Sequence, residues 1–198
     1  MGTDQFDGVA GRATAKVMAR MNRDAEIEAV DILGPRSGDR VLAVGIGPGV
    51  GVRHLATSVE GVSIVGIDPS AAMLAEARRR NRASVESGTV ELVQTTADAL
   101  IWGDSSFAGV VAVNSIQMWD PLDASLAEVA RVLRPGGRLV TLTHHWAIER
   151  STGRSPEAWV EWIRELATPL GLTDLESWRA RSERGTSVAL TMTRRNAQ

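Results

Sequence analysis

The residues with most chemical potential cluster in Val41 to Gly51, VLAVGIGPGVG, where a short apolar run leads straight into Gly45, Gly47, Gly49 and Gly51. Glycine costs conformational entropy, so this density implies positive φ angles or close approach of the backbone to another group. Pro48 stiffens the turn by fixing its own φ and keeping Gly47 out of the helical region. A helix opening near Gly49 would aim its N-terminal N–H groups at the loop, favouring a polar or anionic group there. A second chemical cluster is Thr143-His144-His145-Trp146, after another apolar run. An imidazole titrating near ~6.5 suits proton transfer at neutral pH. His144 or His145 is therefore either a general base or part of a pocket lining bonded to backbone. His54, inside the helix after the loop, reads as structural.

The glycine spacing separates two kinds of ligand. A dinucleotide turn, G-x-G-x-x-G, would need a glycine at Val50, where the even spacing instead continues to Gly51. G-x-G-x-G after a strand, followed by Asp68 at the end of Ser63-Ile64-Val65-Gly66-Ile67, resembles the first motif and the acidic residue of class I S-adenosylmethionine-dependent methyltransferases. EVARVLRPGGRLV resembles the same family's helix, turn and fifth strand. The likeness runs across about residues 41 to 143 and is to the small-molecule, menaquinone-biosynthesis-type (methyltransferase domain 11-like) branch.

The resemblance implies S-adenosyl-L-methionine as cofactor, S-adenosyl-L-homocysteine as product and a small organic methyl acceptor. It assigns Gly45, Ile46, Gly47 and Gly49 to the methionine part of the cofactor, and Asp68, followed by Pro69, to the ribose. Met73 is set against adenine or in the core. Ala97, Asp98 and Ala99 form the element whose acid accepts from the adenine amino group, unless Asp98 only caps its loop. Asn114 and Ser115 are placed to reach the cofactor; Gln117, Trp119 and Trp146, with Met18 and Met21 of the N-terminal arm, to reach the acceptor. His144 and His145 are the catalytic candidates. Methyl transfer needs chiefly in-line approach and exclusion of water, so a base is added only if the acceptor must lose a proton.

One departure stands out. Where the family's first motif has an acid just before the glycines, helping to hold the methionyl ammonium, this chain has Ala43. Either Asn114 or an N-terminal residue compensates, or the domain no longer methylates. A non-methylating fold, as a binding or regulatory protein or a cofactor-assisted cyclase, is the alternative function, and an NAD-dependent oxidoreductase is disfavoured by the glycine spacing. Asn114-Ser115-Ile116-Gln117 lacks the D/N-P-P-Y/F sequence of nucleic acid amino-methyltransferases. Asp120 and Asp123 are accounted for by a turn and a helix cap, so no metal is expected.

Bulk composition agrees. The chain has 198 residues, a net charge of -2 and no cysteine. That length fits one domain, 1–198, with 1–33 as a helical arm or lid. The charge provides no field for nucleic acid or anionic membrane, and disulfides, thiolate metal sites and thiol nucleophiles are excluded. Arg78, Arg79, Arg80 and Arg82 read as a solvated face at a helix end. MGTDQFDG lacks a basic and an apolar leader region, and no apolar run approaches ~20 residues, so a cytoplasmic protein is expected. A homodimer would be one source of extra cover over the site.

The elements that must position these residues follow from periodicity. Helical spacing marks a helix from Ala13, including Val17, Met18 and Met21, and a second over about 24 to 33. Strands are predicted at about 41–45, 63–67, 90–94, 109–113 and 138–143, with helices at about 50–59, 70–82 and 123–133. Ser155-Pro156 opens another helix, and strands at about 173–180 and 186–193 close the chain. This is an α/β fold: a Rossmann-like, seven-stranded, mostly parallel sheet with helices on both faces. The family order would be 3-2-1-4-5-7-6 with strand 7 antiparallel.

Overall fold

Seven strands form one sheet in the order β3-β2-β1-β4-β5-β7-β6. They are β1 (Arg40–Val44), β2 (Ser63–Ile67), β3 (Val90–Val93), β4 (Phe107–Val113), β5 (Leu133–His144), β6 (Leu172–Ser182) and β7 (Gly185–Arg194). Neighbours from β3 to β5 pair in parallel, whereas β7 is antiparallel to both β5 and β6. The computed structural model describes residues 22–182 and 185–196. The helix expected from Ala13, with Met18 and Met21, lies outside the described residues.

Strand alternation divides the core into two layers. Leu42, Val44, Val110, Ala112 and Leu139 face one way, against Leu126 and Val129 of α5 (Leu122–Val132) and Trp159 and Ile163 of α7 (Pro156–Ala167). Val41, Ala43, Val111, Val140 and Leu142 face the other, against α1 (Arg23–Leu33) and α2 (Val50–Ser58). A sheet covered on both faces explains why its strands read as unbroken apolar runs. Helix α1 presents Ala25, Glu26, Ala29, Val30 and Leu33 inward and stops at Gly34, whose left-handed backbone donates to Val30 O. Glu26 is the one charge in that stripe.

Some boundaries differ from expectation, for local reasons. The predicted 70–82 helix is two: α3 (Ala71–Arg80) and α4 (Arg82–Glu86). Asn81 separates them, spending its side-chain amide on Gly49 O and Ala77 O. Strand β4 begins at Phe107, pairing with Leu133 across a register shift, so β5 starts before the Pro135-Gly136-Gly137 turn. Helix α6 (His145–Thr152) was not anticipated: it buries only Ala147 and Ile148 and ends at left-handed Gly153, too short to show a clear period. Among the described residues no helix is long and apolar enough to cross a membrane, and no group of three or more His, Cys, Asp or Glu side chains could hold a metal ion.

Candidate active site

The glycines after β1 do not all do the same job. Gly45 has φ +67, and a side chain there would collide with Ser115. Gly49, with φ +75, lets the loop approach Ala77 and Asn81 of the α3 end, and Gly51 leaves room for the Glu26 carboxylate. Gly47 differs: its φ is +50, and nothing lies within 4 Å of where a side chain would begin. Three of these glycines thus serve close packing, while Gly47 faces open space. Gly45 and Ile46 donate their N–H groups to Ile67 O at 2.8 and 3.1 Å, which holds the loop against the end of β2.

Asp68 lies at that end, only 7% exposed. Its two oxygens accept from Gly47 N at 2.8 Å and Ser70 N at 2.9 Å. Burial raises its pKa, and those two N–H donors oppose the rise. A carboxylate has about four lone-pair sites, so each oxygen keeps capacity for a ligand hydroxyl. Open space at Gly47 beside this carboxylate suits a ligand bearing vicinal hydroxyls, as the expected cofactor does. Ser70 then caps α3 by accepting from Met73 N. Met73 is buried, and Pro69 is exposed, its carbonyl accepting from Gln94 Nε2 at 3.0 Å. Beyond β3, Ala97 is buried while Asp98 and Ala99 are exposed. Thr95 and Thr96 bond to Ala99 and close that turn.

At the end of β4 the polar side chains are engaged within the protein. Ser115 Oγ donates to Val44 O at 2.8 Å and joins β4 to β1. Asn114, in the left-handed region at φ 49, donates to Asn22 Oδ1 at 3.0 Å and accepts from His144 N at 2.9 Å. It therefore brackets the start of α1 and the end of β5. Gln117 donates to Asn114 O, leaving its Oε1 buried with no partner among the described residues. Trp119 is half-buried against the α5–α7 layer, and Met118, unremarked in the sequence, is 59% exposed.

The end of β5 brings the histidines together with residues of β7. His144 is 1% exposed and its Nδ1 lies 2.6 Å from Ser187 Oγ, so β7's reversed direction delivers a serine to this edge. Burial, then the neighbouring His145, lowers the His144 pKa and keeps the ring neutral near pH 7. Its Nε2 and Thr143 Oγ1 are buried without partners among the described residues. His145 opens α6 with Nδ1 3.0 Å from Thr186 Oγ1. Trp146, half exposed, stacks on His144 with ring centroids 6.0 Å apart. His54, read as structural, lies 3.1 Å from Asp31 and away from this edge.

The sequence reading did not single out Glu26. Its carboxylate accepts from Gly51 N and is the one charged group lining a cavity of about 30 Å³ at the end of β1. Ala43, Gly45, Ile46, Val52 and Val111 supply other walls. Burial lifts the Glu26 pKa from the usual 4.5 to about 7, against the pull of Gly51 N–H and Arg80. Arg80 thereby departs from the solvated charge run, in which Arg79 pairs with Glu76 and Arg82 with Glu86.

Comparison with known proteins converges on one family. Residues 41–137 match the methyltransferase domain family. A demethylmenaquinone methyltransferase of Beutenbergia cavernae is 32% identical over 97% of this chain and 90% of its own length. An O-methyltransferase of Pyrenophora dematioidea is 37% identical over 57% of this chain, which spans only 42% of that relative. In fold, the chain resembles Haemonchus contortus phosphoethanolamine N-methyltransferase 2 in complex with S-adenosyl-L-methionine, with TM-score 0.79 and 16% identity over 99% of this chain and 60% of that one. With this sheet order, this glycine loop and these relatives, the chain belongs to the class I S-adenosylmethionine-dependent methyltransferase family.

Proposed function

We propose that this protein transfers a methyl group to a small, partly apolar organic molecule held over the carboxyl ends of β4 and β5. The observation that carries this reading is that three buried atoms at the ends of β4 and β5, Gln117 Oε1, Thr143 Oγ1 and His144 Nε2, lack partners among the described residues. Leaving such atoms unmet costs about 1–3 kcal/mol each, a cost that a ligand carrying donors removes. Exposed Met118 and Trp146 nearby in sequence offer apolar surface for the rest of the molecule. The relatives' names, a demethylmenaquinone methyltransferase and an O-methyltransferase, support an acceptor of this size and polarity.

In this reading Gly45, Ile46, Gly47 and Gly49 border the cofactor's amino-acid end. Asp68 and Pro69 attend its ribose, and Met73 with Ala97, Asp98 and Ala99 attends its adenine. Asn114 and Ser115 shape that pocket through Asn22, His144 N and Val44 O rather than by free side-chain groups. When bound, S-adenosyl-L-methionine supplies a methyl group on a sulfonium, whose C–S electron pair leaves with sulfur as the acceptor's lone pair forms the new bond. His144 takes the acceptor's proton at Nε2 while Nδ1–H is donated to Ser187 Oγ. His145 and Trp146 frame the acceptor with Gln117 and Trp119. Cover over the reaction excludes water, and a homodimer is one source of it. The setting proposed is the cytoplasm, with no nucleic acid or membrane partner.

The test is calorimetric titration with S-adenosyl-L-homocysteine, NADH serving as control, followed by turnover assays with hydroxyquinones, phenols and small carboxylic acids. One-to-one micromolar binding of the homocysteine compound and its production from S-adenosyl-L-methionine with one of these acceptors are expected. Binding of NADH alone, or cofactor binding with no turnover on any of the three classes, would sink the reading.

A further inference from the structure

We infer that Glu26 holds the α-ammonium group of the cofactor, taking over from helix α1 the task for which strand β1 carries no acid. This rests on the methyltransferase reading and concerns one residue's part in it. Three observations carry it. First, Glu26 stands in the inward stripe of α1, on the sheet face that Ala43 occupies, and the two side chains line one cavity. Second, the cavity of about 30 Å³ has room for a water-sized group, and its walls are otherwise apolar side chains and loop backbone. Third, two neighbours are reduced to make room: Ala43 is small, and a Cβ on Gly51 would lie 3.0 Å from the Glu26 carboxylate.

Asn114, the other candidate for this task, has both ends of its amide engaged with Asn22 and His144. Glu26 has one oxygen on Gly51 N, and among the described residues no ion pair engages it. A buried carboxylate facing apolar walls is costly when ionised unless a cation meets it. Arg80 acts on it from α3 but forms no hydrogen bond with it, and Arg80 Nε is itself buried without a partner among the described residues. An ammonium group has the charge, the size and the donors that this cavity lacks. Because Glu26 titrates near neutrality when the cavity holds no cation, seating an ammonium there releases its proton.

The experiment compares wild type with Glu26→Gln, which keeps an acceptor for Gly51 N. Calorimetry is run with S-adenosyl-L-homocysteine and with 5′-deoxy-5′-methylthioadenosine, which lacks the amino-acid end, in buffers of different ionisation enthalpy. The substitution should weaken the first ligand about 10- to 100-fold and leave the second unchanged. Wild type should release about half a proton per site at pH 7, and Glu26→Gln none. A second variant, Glu26→Gln with Ala43→Asp, returns a carboxylate to the same cavity and should recover most of the lost affinity. Equal weakening of both ligands, or unchanged affinity for the homocysteine compound, would make Glu26 a structural residue and overturn the inference. Binding of neither ligand to wild type would instead overturn the cofactor assignment on which it rests.

Discussion

Gly47 donates its backbone N–H to Asp68 Oδ2 at 2.8 Å, making the loop after β1 and the acid after β2 one unit. Asp68→Ala therefore has two consequences. Cofactor affinity, read by titration with S-adenosyl-L-homocysteine, should fall below detection. Stability in urea should fall by about 1–3 kcal/mol, because Gly47 N and Ser70 N both lose an acceptor. Unchanged affinity would remove Asp68 from the ribose site.

The loop glycines should separate on substitution. Gly47→Ala meets no neighbouring atom and should cost about 1–2 kcal/mol for its left-handed backbone while impairing ligand binding. Gly45→Ala combines positive φ with a collision against Ser115 and should cost several-fold more. Thermal unfolding of the two variants checks this order, and equal destabilisation would contradict it.

Glu26 should give the protein an inverse pH response. Its folded pKa of about 7 lies above the usual 4.5, so between these values the folded state binds more protons than the unfolded one. Stability contributed by this group is present below pH 4.5 and is lost as pH rises through 7, by about 3 kcal/mol at full extent. Denaturation of wild type and Glu26→Gln across pH 5 to 8 should show curves that diverge in that sense. Parallel curves would mean that the buried carboxyl titrates normally.

His144 predicts a pH profile for turnover. Its pKa is lowered, so the neutral ring needed to accept a proton should persist at and above pH 6.5. kcat/KM should fall only below that pH, and His144→Asn should reduce kcat at least 100-fold for an acceptor that loses a proton. The KM for S-adenosyl-L-methionine should hardly change. A kcat unaltered by the substitution would reduce His144 to a wall of the pocket.

Much of this architecture was legible because the parallel strands are short, apolar and punctuated by glycine. Val41 to Gly51 and Asp68 marked the edge where the cofactor is proposed to bind, and the order of all seven strands followed from the family likeness. What escaped were features created by contact across distant segments. Glu26 left a trace, standing where Ala29, Val30 and Leu33 define an apolar stripe, yet only packing against Gly51 explains its burial. Ser187 reaches His144 through antiparallel pairing, which no local pattern announces. The double duty of Asn114 likewise depends on α1 and β5 meeting at its side chain.

Strand β7 fills the place between β5 and β6 although it is made after both. Without β7, the backbone groups of β5 and β6 that bond to it would all be unpaired. Residues 185–194 convert two open strand edges into interior ladders. A chain cut before residue 185 should therefore expose both edges at once and aggregate.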